Sequence, residues 1–240
     1  MNTQEFSANM DVMLNSYAQV ASFGIQSSDQ TIELNEYEKS VFLTEAQEEF
    51  IAALYNGKNS SSESFEETEE LRRYLSNLID EAELSPIETS NGNPLGLNSK
   101  SKFFTLPDNL WFITYESAII TDGKCKGSTT LEVFPAKQNE YHRLRKNPFR
   151  GVNDRRALRF DLSDNNVEIV SKYNVTSYYI RYLKKLKPII VAPLDTETIK
   201  GKNTITECEV NESLHRKILE LAVQKALQSK GYNRNNLENR

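Results

Sequence analysis

The segment from residue 140 to residue 191 constrains the fold most, because it predicts several β-strands in close succession. Residues 157–161 alternate between apolar and polar side chains, and residues 175–183 are rich in β-branched and aromatic ones. The sequence Ser-Asp-Asn-Asn at 163–166 is a turn that leads into the apolar run 167–170. Strands this close in sequence usually pair as neighbours, so the segment predicts a β-meander.

Further runs on both sides extend this β-rich region. Residues 110–120 and 129–134 have the composition of strands, and the Asp-Gly pair between them is a hairpin signal. Residues 188–191 form a short apolar run that ends the region as a strand. The sequence therefore predicts about five strands within residues 108–195.

Helical patterns dominate residues 1–107. Thr44 and Gln47 have the spacing of a capping box, which predicts that a new helix starts there. Residues 83–107 are rich in Pro, Gly and Asn and predict a linker or a long surface loop. The apolar residues recur at helical spacing over residues 3–23, 36–43, 44–55 and 66–79.

The C-terminal part, residues 196–231, predicts a surface connection followed by a helix that Asn211 caps and Gly231 ends. A polar tail covers residues 232–240. The helix carries apolar residues on two flanks, which suits a helix packed on its own domain and on a neighbour, or one fully buried in a bundle. The candidates for docking a partner are Leu214, Ile218, Leu219, Leu221, Val223 and Leu227.

These patterns together predict an α+β protein. The N-terminal helices and the C-terminal helix would form a helical bundle, and the β-rich region would lie between them in sequence. Residues 1–107 are thus a helical region and linker, 108–195 the β-rich region, and 196–231 a connection and helix that rejoin the helical part.

Charge is distributed unevenly along the chain. Residues 1–100 contain 18 acidic and 5 basic residues, whereas residues 101–240 contain 16 acidic and 24 basic residues. Seven bases fall between residues 143 and 159, and they could form a protein interface, contact nucleic-acid phosphates or cover a solvated face. These residues are Arg143, Arg145, Lys146, Arg150, Arg155, Arg156 and Arg159.

No catalytic or metal-binding motif is visible. Residues 138–146 predict a short helix that contains His142, and the C-terminal helix contains His215. Neither histidine has an acid or cysteine partner at a diagnostic spacing, and Cys125 and Cys208 are far apart in sequence. No apolar run approaches the roughly 18 residues of a membrane span. We therefore expect a non-enzymatic protein without cofactor, metal or membrane contact.

Several segments resemble virion structural proteins of crAss-like and related Bacteroidetes-infecting tailed phages, in particular the first ring protein of the head–tail interface. The segments are LPDNLWFITYESAII, EYHRLRKNPFRGVNDRRALRFDL, VEIVSKYNVTSYYIRYLKKLKPIIV and TECEVNESLHRKILELAVQKAL, with NEYEKSVFLTEAQEEFI upstream. The resemblance covers residues 30–230 or so.

The resemblance implies a head–tail adaptor that forms a ring of about twelve copies beneath the portal. Its implied partners are copies of itself, the portal, and other tail or ring proteins, with non-specific contact to phage DNA as a further expectation. Its implied location is the virion, after assembly in the host cytoplasm. The alternative is a nucleic-acid-binding module that uses the basic cluster from Arg143 to Arg159.

Overall fold

The computed structural model describes residues 1–22, 32–57, 68–87, 96–121 and 129–230, with side chains throughout except at 18–22. The chain divides into unit 1, which comprises Met1–Leu78 and Leu186–Arg240, and unit 2, which comprises Ile79–Lys185. The predicted α+β class is confirmed. The predicted Asp-Gly turn, the Gly231 helix end and the polar tail lie outside the described residues.

The described residues form five α-helices, of which four belong to unit 1 and α4 belongs to unit 2. In unit 1, α5 contacts both α1 and α2, so helices from the N-terminal and C-terminal parts of the chain pack together. The helices are α1 (Thr3–Ser22), α2 (Glu36–Tyr55), α3 (Glu69–Leu75), α4 (Tyr141–Arg145) and α5 (Glu212–Ser229).

Helix α2 is one continuous helix, and the predicted new start at Thr44 is wrong. The capping box lies at Asn35 instead, where the side chain accepts from the Glu38 amide at 2.7 Å and the Glu38 carboxylate accepts from the Asn35 amide at 3.1 Å. The Thr44 hydroxyl accepts a hydrogen bond from the backbone amide of Ile189 at 3.0 Å. A tertiary contact thus uses the hydroxyl that the pattern assigned to a helix cap.

The predicted strand at residues 188–191 does not join a sheet and runs along α2 instead. Two further buried side chains of α2 bind its backbone: Ser40 accepts from the Val191 amide at 3.1 Å, and Gln47 donates to the Lys187 carbonyl at 3.0 Å. Ile190 also forms an isolated antiparallel bridge with Thr206, in which each amide donates to the other carbonyl, at 3.1 and 3.2 Å. Because buried backbone groups must find hydrogen-bond partners, the side chains of α2 and this bridge stabilise the segment outside the sheet.

The core of unit 1 is built from the inner faces of α1, α2 and α5. Each fully buried aliphatic or aromatic side chain contributes about 1.5–3 kcal/mol relative to an exposed one. The buried apolar side chains of these three helices include Phe6, Met10 and Leu14 of α1, Leu43, Ile51 and Leu54 of α2, and Leu214, Ile218, Leu219 and Val223 of α5.

Unit 2 contains a seven-stranded sheet in the order β1-β7-β3-β4-β5-β6-β2. All neighbouring pairs are antiparallel except β4 and β5, which are parallel because α4 lies in the connection between them. The strands are β1 (Ile79–Leu84), β2 (Lys102–Thr105), β3 (Leu110–Ile120), β4 (Thr129–Pro135), β5 (Arg156–Asp161), β6 (Asn166–Val170) and β7 (Val175–Lys184).

The sheet curls until its two edges meet. Ile87, three residues beyond β1, forms an antiparallel bridge with Phe103 on β2, and its amide donates to the Phe103 carbonyl at 2.8 Å. All seven strands contribute apolar side chains to one enclosed core, in which Phe104 packs on Tyr178 with ring centroids 5.4 Å apart. This closure leaves little unpaired strand edge in unit 2.

Unit 2 contains more strands than the five or so that the sequence predicts. The two additional strands lie within residues 79–107, where the sequence predicts the end of a helix and a linker. Strand β1 has the sequence Ile-Asp-Glu-Ala-Glu-Leu, and β2 has only four residues. Neither has a strong strand pattern, and each is stabilised by pairing with a longer partner, β1 with β7 and β2 with β6.

Candidate interaction surface

Three side chains form a buried polar network within unit 2. The Glu116 carboxylate accepts from Arg159 Nη1 at 2.9 Å and from the Tyr178 hydroxyl at 2.6 Å. Arg159 Nε also lies 3.0 Å from the carboxylate of the exposed Asp161. The side chains of Arg159 and Glu116 are only 11% and 9% exposed, so the structure places Arg159 inside the fold rather than on an interaction surface.

The network stabilises a charged pair inside unit 2. Burial raises the pKa of Glu116 above its ordinary value, although the Arg159 guanidinium and the Tyr178 hydroxyl oppose this shift. Burial likewise raises the pKa of Tyr178, so its hydroxyl stays protonated and donates to Glu116. The three residues come from β3, β5 and β7, and they fix the relative positions of these strands.

The other six residues of the basic cluster lie together in sequence at one connection of unit 2, and we call them the basic surface. Five are exposed, and Arg156 is half-buried. Arg143 pairs with Glu140 at 2.7 Å, a surface ion pair that contributes little to stability. The basic surface consists of Arg143, Arg145 and Lys146 at α4, Arg150 and Arg155 in the following loop, and Arg156 at the start of β5.

The loop between α4 and β5 has a defined conformation. Asp154 accepts from the Lys172 ammonium at 2.6 Å and from the Tyr173 hydroxyl at 2.9 Å, which ties the loop to the turn between β6 and β7. A side-chain carbon at Gly151 would lie 2.3 Å from the Leu144 carbonyl oxygen, so only glycine fits the close approach of this backbone to α4.

The apolar residues of α5 serve the core of unit 1. Of the candidates for docking a partner, Leu214, Ile218, Leu219 and Val223 are buried, while Leu221 and Leu227 are half-buried. For these four residues, the structure agrees with a helix that is buried within its own bundle. Side chains that are already buried against α1 and α2 are not available to a partner without local unfolding.

The two histidines differ in their surroundings, and the described cysteine, Cys208, is partly buried. His215 is buried, with Nε2 2.9 Å from the Val210 carbonyl and Nδ1 2.9 Å from the amino group of Met1, whereas His142 is exposed beside Tyr141. Burial raises the pKa of the Cys208 thiol to about 11, which keeps it protonated. In the part of the chain that the structure describes, no three His, Cys, Asp or Glu residues could hold a metal ion, and no helix has the length and apolarity of a membrane span.

The exposed basic surface suits a class of protein that acts through contacts with other macromolecules. Comparison with known proteins identifies that class. Residues 1–238 match the family model described as "Phage tail ring protein 3/4", so the chain belongs to this family of phage ring proteins.

Two relatives come from Bacteroides phage crAss001. The chain is 44% identical over 234 residues to "Ring protein 3", with 96% of each chain covered. It is 29% identical over 236 residues to "Ring protein 4/5", with 94% of this chain and 92% of the relative covered. The expected resemblance to phage ring proteins is confirmed, whereas the comparisons do not confirm an assignment to the first ring.

Proposed function

We propose that this chain is a structural subunit of a phage particle and that its copies assemble into a closed ring. The observation that carries the proposal is the family match, which spans residues 1–238 and so includes both units. The 44% identity to Ring protein 3 favours a counterpart of that protein over the first ring. The ring acts by its assembly and its shape, and we expect no catalysis.

Contacts between copies in a ring are heterologous, which means that two different faces of each copy must fit one another. The two units differ in charge in a way that supports such a contact. Unit 1 contains 21 acidic and 13 basic residues, whereas unit 2 contains 13 acidic and 16 basic residues. We propose that the basic surface of unit 2 contacts the acidic unit 1 of a neighbouring copy.

The finer features of this role are also proposals. They are a ring of about twelve copies at the portal–tail interface and passage of DNA through the ring. The proposed partners are the portal and other ring or tail proteins, and the proposed location is the virion after assembly in the host cytoplasm. A ring protein with an exposed basic surface on each copy could also make non-specific contacts with DNA phosphates.

Native mass spectrometry and sedimentation velocity over a concentration series test the proposal. We expect the purified chain to form a closed oligomer, and we expect Arg150→Glu with Arg155→Glu to weaken assembly at least tenfold, because like charges would then face each other across the interface. Arg156 is left unchanged, since its Nη1 donates to the Phe149 carbonyl at 2.7 Å and supports the loop.

The matched control is Arg216→Glu with Lys217→Glu, which changes the net charge equally at exposed positions of α5 in unit 1. If the control weakens assembly as much as the loop variant, net charge rather than the basic surface is responsible. Assembly should also weaken as salt rises, because the screening length falls from about 10 Å at 0.1 M to about 3 Å at 1 M.

The alternative function is a nucleic-acid-binding module. The observation that favours it is the combination of exposed arginines with an exposed aromatic ring at Phe149, since such surfaces contact phosphates and bases. A short DNA duplex added to the same series separates the two functions. A chain that stays monomeric and binds the duplex in a steeply salt-dependent way would establish the alternative and contradict the ring.

A further inference from the structure

Phe149 lies in the loop between α4 and β5 and has the highest exposure, 84%, among the large apolar side chains of the described residues. Burial normally stabilises a phenylalanine side chain, and a ring with this exposure lacks most of that stabilisation. An aromatic ring in the middle of several arginines also matches the composition of interaction hot spots, which are enriched in aromatic residues and arginine.

The exposure of Phe149 is not the result of a loose loop. The Asn147 side chain accepts from the amides of Phe149 and Arg150 at 2.9 and 3.0 Å, and the Gly151 amide donates to the Asn147 carbonyl at 2.8 Å. Asn147 therefore closes a tight turn that holds the phenyl ring outward. A protrusion held in this way loses little conformational entropy when it binds a partner.

Arg156 supports the ring from the sheet. Its Nη1 donates to the Phe149 carbonyl at 2.7 Å, and its guanidinium lies 4.3 Å from the ring centroid of the partly exposed Phe134. Phe134 on β4 and Phe149 in the loop are thus linked through one arginine.

The complementary surface must combine exposed apolar side chains with negative charge, and α1 has both properties. Within α1, Val12 is 67% exposed, and Ala8, one turn earlier on the same side of the helix, is exposed as well. The exposed acid Glu5 lies two turns before Val12 on the same side of the helix, whereas the other acid of α1, Asp11, pairs with Lys39 at 2.8 Å. Residues 1–38, which include this surface, contain six acids and no lysine or arginine.

We propose that Phe149 of one copy packs against the exposed surface of α1 around Ala8 and Val12 in a neighbouring copy. The arginines around Phe149 then face the acidic unit 1 of that neighbour. This inference rests on the proposed ring and adds the residues of the contact between copies. A second copy is favoured over another partner because the chain itself contains both complementary surfaces, as a heterologous ring contact requires.

Photo-crosslinking tests the contact directly. Benzoylphenylalanine replaces Phe149 in the full-length chain, and in a control it replaces Leu162, which is 41% exposed in the same unit. Trypsin releases α1 within one peptide, residues 1–39, because no earlier lysine or arginine is present. We expect position 149, and not position 162, to crosslink to peptide 1–39 of a second copy.

Assembly of two matched variants gives an independent measurement. We expect Phe149→Ser to raise the dissociation constant for assembly about tenfold or more, as is typical of an interface hot spot, and Leu162→Ser to leave it within about twofold. Urea unfolding followed by the fluorescence of Trp111, the single tryptophan of the chain, verifies that both variants keep unit 2 folded.

Each outcome has a distinct meaning. If the wild type forms oligomers but Phe149→Ser assembles equally well, or the crosslinks fall outside peptide 1–39, the inference is overturned and the ring function stands. A wild type that stays monomeric at every concentration overturns both. If the Phe149 variant loses duplex binding instead of assembly and the probe crosslinks to DNA, nucleic acid is the partner and the contact between copies is refuted.

Discussion

Replacement of Arg159 by methionine removes the cation from the buried network of unit 2 and leaves Glu116 without its ionic partner. Both side chains are about nine-tenths buried, so the remaining carboxylate cannot regain full hydration. Breaking a buried ion pair by removing one partner typically costs about 3–5 kcal/mol. The contact with Asp161 adds little, because that carboxylate is 68% exposed and becomes solvated.

Two features place the expected loss near the lower end of that range. The Tyr178 hydroxyl still donates to Glu116 at 2.6 Å, and the carboxyl group can take up a proton. Burial already raises the pKa of Glu116, and loss of the guanidinium raises it further. We therefore expect Arg159→Met to lower the free energy of unfolding of unit 2 by about 3 kcal/mol at neutral pH.

The pH dependence follows from the direction of this pKa shift. A carboxyl group whose pKa is higher in the folded state than in the unfolded state stabilises the fold when protonated, and this contribution is lost as pH rises through the folded-state pKa. The penalty of Arg159→Met relative to the wild type should therefore be smaller near about pH 5 than near about pH 8.

Urea titrations followed by Trp111 fluorescence measure this loss in unit 2. The control is Arg159→Met combined with Glu116→Gln, in which no buried charge remains and the amide oxygen can still accept from Tyr178. We expect the double variant to recover at least about half of the loss, because apolar or neutral replacement of a whole buried pair is often tolerated. A loss below about 1 kcal/mol, or no recovery in the double variant, would refute the assignment of the stability to the charged pair.

Two further predictions concern unit 1, and far-UV circular dichroism of urea-unfolded samples measures both. Burial lowers the pKa of His215, so the unfolded chain binds a proton at this residue more readily than the folded chain does. The stability of unit 1 should therefore fall as the pH drops below about 6.5. The variant His215→Gln should lack this pH dependence of stability. A slope that persists in His215→Gln would assign the effect to another group. Thr44→Val leaves the buried Ile189 amide without its acceptor and should lower the free energy of unfolding of unit 1 by about 1–3 kcal/mol. Thr44→Ser keeps a hydroxyl and should lower it clearly less. Equal losses in the two variants would contradict a role for the hydroxyl.

The surface of unit 2 could be predicted only in part. The clustering of bases between residues 143 and 159 is visible in the sequence, and six of the seven side chains lie on the outside or at half-buried positions. Arg159 belongs to the same basic cluster in the sequence, but its side chain lies inside unit 2. The outward position of Phe149 was equally hidden, because the Asn-Pro-Phe-Arg-Gly sequence indicates a turn without showing which side chain points to solvent.

The sequence by itself determined the features that depend on residues a few positions apart. These are the α+β class, the helical periodicity of α1, α2 and α5, the alternation in β5, the paired strands β3 and β4, and the uneven distribution of charge. Local spacing is sufficient for such features, since helix and strand faces repeat every 3.6 and 2 residues or so.

Only the tertiary structure decided which distant segments meet. Strands β1 and β2 exist because β7 and β6 pair with them, and residues 187–191 are held by side chains of α2 and by a backbone bridge between Ile190 and Thr206. The ion pair between Glu116 and Arg159 joins residues 43 positions apart. The free energy of such contacts comes from desolvation and hydrogen bonding between segments that are unrelated in sequence, and no local pattern records it.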